Sequence, residues 1–176
     1  MIIILEGCDC VGKTTFANKL SERTGYEIVK GSSFEISELG ADGMFEHMME
    51  LLDRNDIIID RFYQSNYIYG SKYNYPMMSY EQYSALIEKM NKRALVVYLY
   101  APVEVLEERM KNRGDEHIKT DDIKDIMETY RKVMTSKTAP RTMLSLNTHD
   151  SNFDIATSMV SEFAKMQETK MYIRNS

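Results

Sequence analysis

Four apolar residues, Ile2–Leu5, run directly into the decapeptide EGCDCVGKTT, after which Phe16 and Leu20 repeat at helical spacing. Gly7, Gly12, Lys13 and Thr14 fit the pattern G-x-x-x-x-G-K-[ST] without a mismatch, and both flanks are of the kind the pattern requires: strand before, helix after. Few folds accommodate such a junction. The glycines let the backbone curl round a phosphate, so that the N–H groups of Cys8, Asp9, Cys10 and Val11 and of the helix start at Thr14 and Thr15 converge on it. In this arrangement Lys13 reaches β and γ phosphates, and Thr14 offers a hydroxyl to Mg²⁺, an ion that keeps several waters and takes few protein ligands. A metal or redox reading of the same stretch is poor. Cys8 and Cys10, the only two cysteines, stand too close in sequence for an easy bridge, and no His or Cys cluster completes a tetrahedral site.

The remaining chain continues the alternation. Short β-rich runs recur at Ile57–Ile59 and Leu95–Leu99, with weaker ones in YEIV near Ile28 and MLSL near Leu144. Helical spacing lies between and after them: Met44, Met48, Leu51 and Leu52; Val103, Leu106 and Met110; Met127, Tyr130 and Val133; Ile155, Met159 and Phe163. Strand alternating with helix over the whole length predicts one α/β domain, residues 1–176, with a five-stranded parallel sheet and helices on both faces. A net charge of -5 argues against a nucleic-acid coat, whose work is done by Lys and Arg neutralising phosphates. No apolar run approaches the roughly 20 residues of a membrane span, and MIIIL is too short for a signal core, so the expected location is cytoplasmic.

In a parallel sheet ligands bind beyond the carboxyl ends of the strands. The third run ends in Asp60-Arg61, a carboxylate suited to the magnesium shell or to base catalysis beside a fork suited to a phosphate, or else simply a helix start. Arg109 and Arg113 fall four residues apart, on one helix face, and neither has an acid three or four residues before it. A polyphosphate between them would use both, with the segment from about 109 to 120, through Gly114 and GDEH, forming a lid; a solvated helix end is the bland alternative.

Together these segments resemble the P-loop nucleoside monophosphate kinases, thymidylate kinases most of all: LEGCDCVGKTT is similar to their phosphate loop, DRFYQSNYIY to their DR[YH] segment, and RMKNR to their arginine-bearing lid. The resemblance implies a three-layer P-loop NTPase fold, a homodimer, and Mg²⁺-dependent transfer of the ATP γ-phosphoryl group to a deoxynucleoside monophosphate such as dTMP. It places Asp9 near the acceptor sugar, with Ser65 and Tyr69 on the acceptor side. Asp60 and Arg61 then serve the acceptor phosphate and the transfer, while Arg109 and Arg113 cover the donor phosphates. No basic residue occupies Cys8, Cys10 or Val11, so by the resemblance the catalytic arginine comes from the lid. Two departures stand out. VKGSSFE replaces that family's Arg-Glu-Pro-Gly-Gly, and Tyr69-Gly70 stands where a Tyr-Gln is common. Deoxynucleoside kinases, with Glu35 as base, are therefore the near alternative, and a nucleotide-dependent regulatory switch is the alternative of another class.

Seven of the twelve tyrosines lie between Tyr63 and Tyr83, and the expectation is that most cover half-buried helix faces while one or two line an acceptor pocket. LNTHD, Leu146–Asp150, resembles the Asn-x-x-Asp by which GTPases read guanine but lacks the lysine after the asparagine. By the resemblance to the kinases, Asn147 is instead expected in a loop edging the donor adenine.

Overall fold

The computed structural model describes residues 1–113 and 120–175, with the side chains of 113, 120, 121 and 170–175 excepted. Most of the lid expectation, and the Arg113 side chain, therefore lie outside the described residues.

Five strands form one sheet: β1 (Ile2–Glu6), β2 (Glu27–Lys30), β3 (Ile57–Asp60), β4 (Ala94–Tyr100) and β5 (Met143–Asn147), in the order β2-β3-β1-β4-β5. Every pairing is parallel, with Ile3 opposite Ile58 on one side and Leu95 on the other. The central strand shows why the apolar runs are unbroken. Ile3 and Leu5 point into a core with Phe16, Leu106, Tyr130 and Val160, whereas Ile2 and Ile4 point into a second core with Met48, Leu52, Leu86 and Met90. Both faces are thus roofed by helices, which forbids polar alternation in the middle strands. The edge strands β2 and β5 are exposed or half-buried, and there the sequence signal is weaker.

The helices are α1 (Lys13–Thr24), α2 (Phe34–Ser37), α3 (Gly40–Leu51), α4 (Tyr63–Tyr73), α5 (Tyr80–Arg93), α6 (Val103–Arg113), α7 (Thr120–Met134) and α8 (Phe153–Asn175). Three of them, α2, α4 and α5, lie outside the segments of the sequence read above as helical, although Tyr83, Leu86, Ile87 and Met90 give α5 an apolar stripe at helical spacing. The N-terminus of α5 is nonetheless written there as a capping box, in which the Ser79 hydroxyl takes the Gln82 N–H and the Gln82 side chain takes the Ser79 N–H. α4 buries polar residues, Gln64, Ser65 and Asn66 among them, so an apolar stripe cannot reveal it. Among the described residues no helix is long and apolar enough to cross a membrane.

Candidate active site

The loop from Gly7 to Gly12 leaves the end of β1 and feeds α1. Gly7 has φ 147, and a Cβ there would stand 2.3 Å from the Leu99 carbonyl oxygen, so only glycine lets the loop cross the end of β4 this closely. Lys13 is buried and folded back: its ammonium donates to the Gly7 and Cys8 carbonyls, each at 2.8 Å. Burial, and then the neighbouring Arg61, pull its pKa down to about 8, against the opposing pull of Asp9, Asp60 and Cys8. Cys8 is buried as well, and its thiol is pushed up to about 11 by desolvation and by Asp9, which leaves it inert at neutral pH.

Two cavities adjoin at this loop. One, of about 510 Å³, is lined by Gly12, Lys13, Thr14, Thr15 and Arg109; the other, of about 560 Å³, by Ser33, Phe34, Glu35, Asn66, Tyr73 and Tyr75. Asp9, Asp60 and Arg61 line both. These three residues are the wall between the cavities and the point where their contents would meet.

Their arrangement is fixed by strand ends. Arg61 follows β3 with φ 64, its N–H bonded to the Leu5 carbonyl at 2.9 Å. Its guanidinium pairs with Asp9 and lies 4.9 Å from the centre of the Tyr69 ring, while the Tyr69 hydroxyl donates to the other Asp9 oxygen at 2.6 Å. Asp60 keeps one buried carboxylate oxygen without a partner among the described residues. With the exposed Thr14 hydroxyl on the same cavity, that oxygen suits a hard divalent cation bound by one carboxylate, one hydroxyl and water. No cluster of three His, Cys, Asp or Glu side chains is found among the described residues, so an all-protein metal cage is not what these residues offer.

Gly31, within the VKGSSFE stretch, packs directly against the Arg61 turn. A Cβ at Gly31 would lie 2.3 Å from the Arg61 carbonyl oxygen and 2.4 Å from Ile59 Cγ2. Gly31→Ala is therefore expected to displace the Arg61 turn and to cost ~1–3 kcal/mol, as other over-packed sites do. Urea denaturation measures it, and wild-type stability would refute the close approach.

Not every expected residue faces a cavity in the same way. Ser65 lines the larger cavity, yet its hydroxyl is committed to Glu6 at 2.6 Å. Arg109 lines the smaller one while donating to the Thr148 hydroxyl at 3.1 Å, to the Thr148 carbonyl at 3.2 Å and to the Cys10 carbonyl at 3.4 Å. Arg109 thus ties α6 to the phosphate loop and to the turn after β5. In that turn Asn147 donates to Asp150 at 2.6 Å and receives the His149 N–H at 3.1 Å. Tyr69, Tyr73, Tyr75 and Phe34 form a row of ring contacts 6.0–6.1 Å apart along the larger cavity. The tyrosine cluster in the sequence signalled this wall; Phe34 carried no such signal.

Residues 3–131 match the model of the AAA domain family. The chain belongs to that family. It is 44% identical over 136 residues to the SPbeta prophage-derived uncharacterized protein YorR of Bacillus subtilis (strain 168), covering 77% of this chain and 82% of that one. The crystal structure of YorR in complex with phosphorylated GDP matches with a TM-score of 0.87 at 38% identity, over 96% of this chain and 98% of that chain. Deoxyadenosine kinase from M. mycoides with bound dCTP follows the same fold at a TM-score of 0.59 and 18% identity, over 94% of this chain and 100% of that one. A gluconokinase from Sinorhizobium meliloti 1021 does so at 0.62 and 12%, over 99% and 97%. These last two likenesses are of fold: a P-loop kinase-like α/β architecture, and not a thymidylate specificity.

Proposed function

We propose that this protein transfers the γ-phosphoryl group of a nucleoside triphosphate, ATP, to a deoxynucleoside monophosphate. The observation that carries the reading is the pair of adjoining cavities with Asp9, Asp60 and Arg61 common to both. Donor phosphates lie in the loop cavity, where backbone N–H groups and Lys13 neutralise them. The acceptor lies in the larger cavity, its base along the aromatic row and its phosphate toward Arg61. Arg61 then bridges the transferred group and the acceptor, which is positioning and charge neutralisation rather than covalent chemistry. Thr14 and Asp60 are the residues that would hold Mg²⁺, which would neutralise charge on the donor phosphates. Arg109, anchored on Thr148, flanks the donor.

A nucleoside acceptor is the second reading, supported by Glu35, which lines the acceptor cavity and sits 3.8 Å from the Lys30 ammonium. In that case Glu35 takes the proton of the attacking hydroxyl. A guanine donor in place of adenine is supported by the Asn147–Asp150 pair and by the guanine nucleotide bound to the B. subtilis relative. A carboxylate accepts from the N–H edge of guanine, and Asn147 holds that carboxylate in place.

One experiment separates these readings: labelled ATP or GTP incubated with a panel of nucleosides and nucleoside monophosphates. The expected result is slow hydrolysis alone and strong stimulation by one monophosphate. Stimulation by a nucleoside selects the Glu35 reading, and no transfer to any member with either donor refutes the kinase.

A further inference from the structure

Glu6 is the last residue of β1, one position before the phosphate loop, and it is fully buried. It lines neither cavity. Its carboxylate is nevertheless fully engaged. One oxygen accepts the backbone N–H of Phe62 at 2.8 Å and of Ser65 at 3.2 Å; the other accepts the Ser65 hydroxyl at 2.6 Å and the Tyr130 hydroxyl at 3.3 Å.

These donors are what α4 leaves open at its start. The first N–H groups of a helix have no intrahelical partner, and the N-cap position of α4 is Phe62, whose side chain cannot accept a hydrogen bond. Glu6 supplies the cap from another element; burial pushes its carboxyl pKa up, and the Ser65 hydroxyl and the Phe62 and Ser65 N–H groups oppose that shift. What α4 carries explains why this matters. Arg61 precedes it, Asn66, Tyr69 and Tyr73 line the acceptor cavity, and Tyr69 reaches back to Asp9 in the phosphate loop. Tyr130 brings α7 to the same point, stacked on Tyr98 with ring centres 5.8 Å apart.

We infer that Glu6 is a positioning residue for the acceptor side of the reaction: through the start of α4 it holds Arg61 and Tyr69 at a set distance from the phosphate loop. The inference rests on the proposed transfer reading for its kinetic consequence, but its geometric part stands apart from it. Glu6 itself touches neither substrate.

The test compares Glu6→Gln and Glu6→Asp with the wild-type chain. Gln keeps the reach and one acceptor but turns a donor toward two hydroxyls; Asp keeps the carboxyl group but is one methylene too short to cap α4. Amide hydrogen exchange over residues 61–69 is expected to quicken about tenfold or more in both variants, with β1 and β4 changed by less than about twofold, as for a local opening. The donor nucleotide, titrated calorimetrically as nucleoside diphosphate, should bind within about twofold of wild type, while kcat/KM for the acceptor falls by about tenfold or more. Exchange that is unchanged, or quickened equally throughout the sheet, overturns the inference, as does equal weakening of donor and acceptor. If the wild-type chain transfers to no acceptor, the kinase reading fails, and the exchange pattern alone decides the role of Glu6.

Discussion

Replacing Lys13 with methionine is expected to lower phosphoryl transfer by ~10³ while leaving the fold intact, the range seen when a preorganised charge facing a developing anion is removed. Methionine has nearly the length of the lysine stem and fills the same buried space, so the loop keeps its packing. The variant should be at least as stable as the wild type at pH 7. The sign follows from burial. Because the folded Lys13 pKa is lowered from 10.5 to about 8, the folded state sheds this proton first, and the unfolded chain binds more protons between about pH 8 and 10.5. Stability from this group therefore rises with pH across that window, and the cost of burying the ammonium is present in full below it. A Tm well below that of the wild type at pH 7 would show that the two carbonyl hydrogen bonds outweigh the desolvation.

The same titration predicts how nucleotide binding responds to pH. At pH 8.5 most of the ligand-free Lys13 is neutral, and a polyphosphate beside it favours the charged form, so binding takes up a proton. Calorimetry of nucleotide binding in two buffers of different ionisation enthalpy should reveal the uptake at pH 8.5 and its near absence at pH 6.5. Affinity should weaken as pH rises above 8. The methionine variant should lose the pH 8.5 uptake; if it keeps it, another group is titrating.

How far the sequence discloses such a site differs from residue to residue. The phosphate loop is legible because its chemistry is local: glycines, lysine and hydroxyl are contiguous, and strand and helix flank them. The sheet is legible because strands covered on both faces must be continuously apolar, as Ile2–Leu5 and Ile57–Ile59 are. Asp60 and Arg61 could be picked out once a strand end was placed before them. Glu6 also stands at a strand end, but its role is not legible there, because its partners, Phe62, Ser65 and Tyr130, are distant in the chain and nothing local distinguishes a capping carboxylate from a solvated one. Gly31 stands at a strand end too, but the sequence does not say why it is glycine: its demand for a missing side chain arises from its packing against the Arg61 turn. The pairing of Arg109 with Thr148 depends on how α6 leans on the turn after β5, which no helical spacing encodes.

Arg61→Ala should lower kcat/KM for the acceptor by ~10²–10³, since the guanidinium is the cation shared by both cavities, with donor affinity changed by less than about tenfold because Lys13 and the loop N–H groups remain. Backbone strain does not enter the comparison: φ 64 is as awkward for alanine as for arginine. A further readout distinguishes loss of charge from loss of shape. Arg61 is, after burial, the main influence that lowers the Lys13 pKa, so its removal should move the alkaline fall in nucleotide affinity to higher pH. Arg61→Lys returns a cation and should bring that fall back toward pH 8. It should restore little of the acceptor kcat/KM, because an ammonium cannot reproduce the planar fork that pairs with Asp9 and, in the proposed reading, would grip the acceptor phosphate as well. Full recovery with lysine would show that only the charge at this point matters. An unshifted pH profile in the alanine variant would mean that Arg61 does not face Lys13 in solution.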